Sequence, residues 1–216
     1  MMATGEMLRA LLALVIGLLL GSVLPADLLA RSRGIDIRST GDGNPGTVNA
    51  VRVLGWAPGL ITAAYDLSVG VLAVRIAILL GVTGDPAYLA GVMSVVGHRF
   101  PVFRGFRGGG QGMAASAGLL VYGIAVAVAR GWLSGWDVGA LVAIVLVTFA
   151  LTRSDVAAAL VMLPVLVVRV ILARTDWQFL AFMSVVAGHI WIVQAGVARQ
   201  RFRLRPVSPV RGQTRE

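Results

Sequence analysis

Residues 41–80 read GDGNPGTVNAVRVLGWAPGLITAAYDLSVGVLAVRIAILL, and this stretch decides the fold. It opens in a glycine-rich loop, Gly41-Asp-Gly-Asn-Pro-Gly46, and leads into an unbroken apolar segment, Trp56–Leu80. A helix needs about 20 apolar residues to cross the hydrocarbon core of a bilayer, so this segment reads as a membrane span. Asp66 sits well inside it. A carboxylate at that depth is expensive and is a functional candidate by default.

The rest of the chain repeats the pattern. Its 216 residues are 57% hydrophobic and 13% charged, with a mean hydropathy of +0.85. That is more apolar surface than a soluble domain of this size can hide. Seven segments are candidate spans: Met7–Leu24, Trp56–Leu80, Tyr88–Val96, Met113–Ala129, Val138–Leu151, Val156–Ile171 and Trp177–Val197. The third is too short to cross as written, so it either begins near Gly84 or dips in as a partial helix. Met7–Leu24 resembles a signal-peptide core, but no small-x-small cleavage pattern follows, and it reads as a retained first span. The expected fold is therefore an all-α polytopic membrane protein with about seven transmembrane helices. Residues 1–198 form one transmembrane domain and residues 199–216 a basic flexible cytoplasmic tail, a kind of end that anionic lipid headgroups attract.

All 19 basic residues are arginine, for a net charge of +9, and cysteine is absent. Schiff bases, thiolate catalysis, disulfides and cysteine metal sites are thereby excluded. The basic excess reads as topology rather than nucleic-acid binding. With the N-terminus outside, cytoplasmic segments hold Arg31, Arg33, Arg38, Arg52, Arg99, Arg104, Arg107, Arg153 and the six arginines from Arg199 to Arg215, which is fourteen of the nineteen. The positive-inside rule then predicts N-out and C-in, with both glycine-rich loops cytoplasmic. Trp132, Trp136 and Trp177 fall at span edges, where interfacial aromatics belong.

The second glycine loop, Gly105-Phe-Arg-Gly-Gly-Gly-Gln-Gly112, feeds a helix at Met113. Free amides and the positive dipole end at such a start attract anions. The first loop combines backbone donors with Asp42, Gly43, Asn44, Gly46, Asn49 and Arg52. It is either an anion cradle in which Arg52 forks onto a phosphate, or a tight turn of the kind Gly, Asn and Pro ordinarily make. In the second loop His98 is a proton carrier, a phosphate donor or a structural hydrogen-bonder, and Arg107, Gly108, Gly109 and Gln111 are candidate phosphate contacts. His189, near the end of the last span, either faces the site or bonds a neighbouring helix. No zinc-binding helix motif, Walker lysine, nucleophile elbow or dinucleotide fingerprint occurs, so no metal or cofactor is expected. What remains is positioning and electrostatics acting on a substrate that arrives activated.

In these residues the chain resembles the bacterial acyl-phosphate:glycerol-3-phosphate acyltransferases, the polytopic family called PlsY. The likeness runs through Gly21-Ser-Val-Leu-Pro25, Gly34-Ile-Asp-Ile-Arg38, Gly43-Asn-Pro-Gly46, Asn49, Arg52-Val-Leu-Gly55, Asp66, Gly70, Gly97-His98, Phe100-Pro-Val-Phe103, Gly105-Phe106 and Gly108-Gly109, and is faint beyond them. The resemblance implies seven helices in the bacterial inner membrane and a site facing the cytoplasm. It implies transfer of a fatty acyl group from acyl phosphate to sn-glycerol 3-phosphate, giving lysophosphatidic acid. It also implies that Arg52 binds glycerol phosphate, that both glycine loops serve phosphates, and that a late histidine, here His189, contributes.

The departures are specific. The family's Ser-Gly-Asn is Asp42-Gly-Asn here, a threonine position is Val48, and the lysine of Asp-x-x-Lys-Gly is Val69. The lysine of Gly-Gly-Lys falls on Gly110 or Gln111, and an asparagine expected three residues after the late histidine is Ile192. Two rivals to the acyltransferase follow: a catalytically inactive or re-specialised lipid-binding paralogue and, from Asp66 and the short third span, a small transporter.

Overall fold

The computed structural model describes residues 4–82, 84–173 and 175–203. Nine α-helices lie among the described residues: α1 (Thr4–Ser22), α2 (Pro25–Arg31), α3 (Thr47–Leu54), α4 (Trp56–Leu79), α5 (Asp85–Arg99), α6 (Met113–Ala129), α7 (Gly135–Thr152), α8 (Asp155–Leu172) and α9 (Trp177–Arg203). Residues 199–203 continue α9, and the remainder of the predicted tail lies outside the described residues.

Five helices, α1, α4, α7, α8 and α9, are long and apolar enough to cross a membrane. The apolar α6 has 17 residues and α5 has 15. The short third segment thus resolves into a helix that starts immediately after Gly84 and runs past Val96 to Arg99. Two elements were not expected. The connection after the first span contains α2, opened by Pro25 where a missing amide is harmless, and the amphipathic α3.

In lipid, helices associate through close packing rather than hydrophobic exclusion, so small residues mark the seams. Along α1, Gly17 and Gly21 face the Ala90 and Ser94 carbonyls of α5, and Gly97 of α5 faces Leu18. A Cβ at Gly21 would sit inside the Ser94 backbone, so only glycine permits this approach. α5 also packs on α4 and α9, α4 on α6, and α8 on both α7 and α9. Val69, Leu119, Leu166, Phe179 and Met183 fill the centre. Val69, at a position where the family resemblance calls for lysine, is fully buried there.

The two ends of the bundle differ chemically. At one end the C-terminus of α5, the N-termini of α6 and α8, the later turns of α9 and the loop before α3 converge. At the other, Asp137 closes a capping box with Ser134 and takes both Nε and Nη2 of Arg169, at 2.6 and 2.9 Å. Arg130 there reaches Asp176 at 3.3 Å and lies over the Trp132 ring.

Candidate active site

The loop from Gly34 to Gly46 is shaped by its own side chains. Asn49 is completely buried: its amide donates to the Ile37 and Thr40 carbonyls at 3.2 and 3.0 Å, and its Oδ1 accepts the Asp42 N–H at 3.0 Å. It is therefore committed to holding the loop. Asp42 Oδ1 accepts the Asn44 N–H at 3.0 Å, and Gly43 takes a left-handed φ of 73° that an L side chain rarely adopts.

The second loop docks on the first by two contacts: Arg38 Nε donates to the Gly108 carbonyl at 2.6 Å, and Asn44 Oδ1 accepts the Gln111 N–H at 3.2 Å. Just before the second loop, the Val102 N–H donates to Ser22 Oγ at the end of α1, at 3.0 Å. Arg38 is held in turn by Asp27, a nearly buried carboxylate that also receives Arg104 at 3.1 Å and Arg31 at 3.2 Å. Arg38 ends the motif Gly34-Ile-Asp-Ile-Arg38, but no sequence motif flags Asp27 or its convergence with Arg31 and Arg104.

Between the loops lies a cleft of about 460 Å³. Asp42, Asn44, Thr47 and Gln111 line its upper part, Asp66 and His98 its floor, and Val193 and Val197 its apolar side. Asp66 and His98 are 1% and 3% exposed, and His98 Nδ1 stands 3.8 Å from Asp66 Oδ1, beyond hydrogen-bond reach. Both atoms lack any partner, as does Thr47 Oγ1. Buried polar atoms without partners are rare, and here three of them gather on residues lining one cleft.

The remaining predicted residues take distinct places. Arg52 Nη1 pairs with Asp42 Oδ2 at 3.1 Å, at the rim. Gly46 lines the cleft, while Gly109 is wedged against the carbonyls of His98 and Arg99. Gly110 lies against the His98 ring, so Gln111 rather than Gly110 presents a side chain to the cleft. Arg107 is exposed and does not line it. His189 Nδ1 is 2.8 Å from Ser116 Oγ, a fully buried hydroxyl on the first turn of α6, and lies beside Gly112. It thus bonds a neighbouring helix and sits behind Gly112, which lines the cleft, without lining it itself. Ile192 is 67% exposed, whereas Gln194 lines the cleft.

Helices of membrane-spanning length, with two interlocked glycine loops closing a polar cleft at one end, define the class as that of polytopic membrane proteins. Within that class, the chain belongs to the glycerol-3-phosphate acyltransferase family, whose profile matches residues 11–201. It is similar to glycerol-3-phosphate acyltransferase 1 of Deinococcus radiodurans, with 48% identity over 113 residues, covering 52% of this chain and 57% of that protein. A relative from Thermus thermophilus is 40% identical over 116 residues, covering 54% and 58% respectively. The chain thus matches little more than half the length of these curated relatives. In fold it is similar to the crystal structure of PlsY (YgiH), an integral membrane glycerol 3-phosphate acyltransferase, in its glycerol 3-phosphate form: TM-score 0.68, 26% identity, covering 90% of this chain and 92% of that one. The lysophosphatidic acid form of the same protein gives a TM-score of 0.66.

Proposed function

We propose that the chain is a seven-span acyltransferase of the bacterial inner membrane. It moves a fatty acyl group from acyl phosphate to sn-glycerol 3-phosphate, forming lysophosphatidic acid for phospholipid synthesis, with the site facing the cytoplasm. The observation that carries this reading is the meeting of both glycine loops over one cleft whose floor is the Asp66–His98 pair. Relatives bearing the acyltransferase name, and solved forms with glycerol 3-phosphate and lysophosphatidic acid, support the choice of acceptor and product.

Acyl phosphate is a mixed anhydride with a good leaving group, so no covalent enzyme intermediate is required. The acceptor's hydroxyl oxygen attacks the acyl carbonyl carbon, the carbon–oxygen bond to phosphate breaks, and inorganic phosphate leaves with the electron pair. His98 takes the hydroxyl proton, with Asp66 Oδ1 3.8 Å from its Nδ1 stabilising the imidazolium. Arg52 and the amides around Asn44 and Gln111 hold phosphate groups. Val193 and Val197 give the acyl chain an apolar exit to the bilayer.

Purified protein supplied with palmitoyl phosphate and glycerol 3-phosphate is expected to release phosphate and form lysophosphatidic acid. His98→Gln is expected to lower kcat by about 10²–10⁴-fold. Arg52→Ala is expected to raise KM for glycerol 3-phosphate about tenfold or more. Turnover indifferent to both substitutions would defeat the site. Absence of turnover with every acyl donor would move the chain to the second reading, a silent lipid-binding paralogue.

A further inference from the structure

The Asp42–Arg52 pair bears on acceptor affinity, and this deepening of the acyl-transfer reading rests on it for the ligand's identity. We infer that Asp42 is a specificity-determining residue: its carboxylate competes with the acceptor's phosphate for the Arg52 guanidinium, so that binding exchanges one anion for another.

Three sets of contacts carry this. First, the Asp42 carboxylate is placed by the loop and is not a freely swinging side chain. Its N–H is held by Asn49 Oδ1 at 3.0 Å, its Oδ1 by the Asn44 N–H at 3.0 Å, and its Oδ2 faces Arg52 Nη1 at 3.1 Å. Second, Asp42 lines the cleft while Arg52 does not, so the carboxylate stands between the cation and the ligand space. Asp66 and Asp155 line the same cleft, and among the described residues no arginine does. Third, the neighbouring cations are engaged elsewhere or turned away. Arg38 is bound to Asp27 and the Gly108 carbonyl, Arg104 to Asp27, and Arg107 is exposed outside the cleft. Arg52 is the guanidinium that the structure pairs with a carboxylate lining the cleft.

The pair is built to exchange. Both side chains are about half exposed, which makes their attraction weak and screened. A phosphate dianion brings more charge and more acceptor oxygens to the same fork.

Asp42→Asn separates the charge from the turn, because the amide oxygen can still accept the Asn44 N–H. Calorimetric titration of the full-length protein in detergent with glycerol 3-phosphate, and separately with inorganic phosphate, is expected to show Asp42→Asn binding each about two- to fivefold more tightly than the parent. The gain is expected to vanish in Asp42→Asn/Arg52→Ala, and Asp42→Glu, which keeps the charge, is expected to show none. Asp42→Asn binding no tighter than the parent, or not at all, overturns the inference, as does a gain that survives loss of Arg52. The readout is binding, so a protein that behaves as expected here but never turns over retains this assignment while losing the acyl-transfer one. Turnover without any effect of Asp42→Asn on binding gives the reverse.

Discussion

Asp27 draws three arginines onto one carboxylate. Its carboxylate receives guanidinium groups from Arg31, Arg38 and Arg104, and Arg38 passes the constraint on to the Gly108 carbonyl. Removing it would leave the largely buried Arg38 and the partly buried Arg104 without their counter-charge. Breaking a buried ion pair by deleting one partner typically costs about 3–5 kcal/mol. Asp27→Ala is therefore expected to lower the melting temperature in detergent sharply and to free the second glycine loop, seen as faster amide hydrogen exchange at residues 105–110. A melting temperature equal to the parent's would show that the cluster is ornamental. A sequence cannot reveal this residue, because a carboxylate beside an arginine four positions on reads as a solvated helix pair, and Arg104 lies 77 residues away. Ser116 is hidden in the same way. A hydroxyl in an apolar helix usually bonds its own backbone, and only the approach of α9 gives it His189. Asp66, by contrast, is legible, since a charge within a long apolar run has to be explained by function or a partner.

Helices are legible in proportion to their length. The long apolar runs are recoverable from composition because lipid demands about 20 apolar residues of each span. α2 and α3 are not, since helices of seven and eight residues show too little periodicity to separate from a polar loop. The seam between α1 and α5 is a matter of size alone. Gly21→Val is expected to force the helices apart, destabilising the protein by about 1–3 kcal/mol as overpacking does. Gly5→Val, in the same helix but with nothing within 4 Å of the added carbon, is expected to leave the melting temperature close to the parent's. Equal effects at the two positions would mean that valine acts through helix propensity rather than through the seam. The same constraint places the cleft: α5 pressed on α1 delivers His98 to the end where Ser22 catches the Val102 N–H, so losing the seam should also lower the proposed acyl transfer.

Across the whole molecule, charge and chemistry are segregated together. The cleft end carries Arg31, Arg33, Arg38, Arg52, Arg99, Arg104, Arg107 and Arg153, while Arg130 and Arg169 at the opposite end are each paired with an aspartate. Positive charge is retained on the cytoplasmic side during insertion, so the cleft end should face inward, as the proposed function requires. Because the chain has no cysteine, single thiols report sidedness without a background. Arg107→Cys lies exposed in the second glycine loop, and Trp136→Cys replaces a side chain 90% exposed at the start of α7, at the other end. In right-side-out vesicles a membrane-impermeant maleimide is expected to label position 136 and spare position 107, with the pattern inverted in inside-out vesicles. Labelling of position 107 from outside would put the cleft on the wrong face of the membrane for a cytosolic acceptor. Labelling of both positions from one side would require an even number of crossings between α5 and α7, contradicting the path in which α6 spans the bilayer despite its 17 residues.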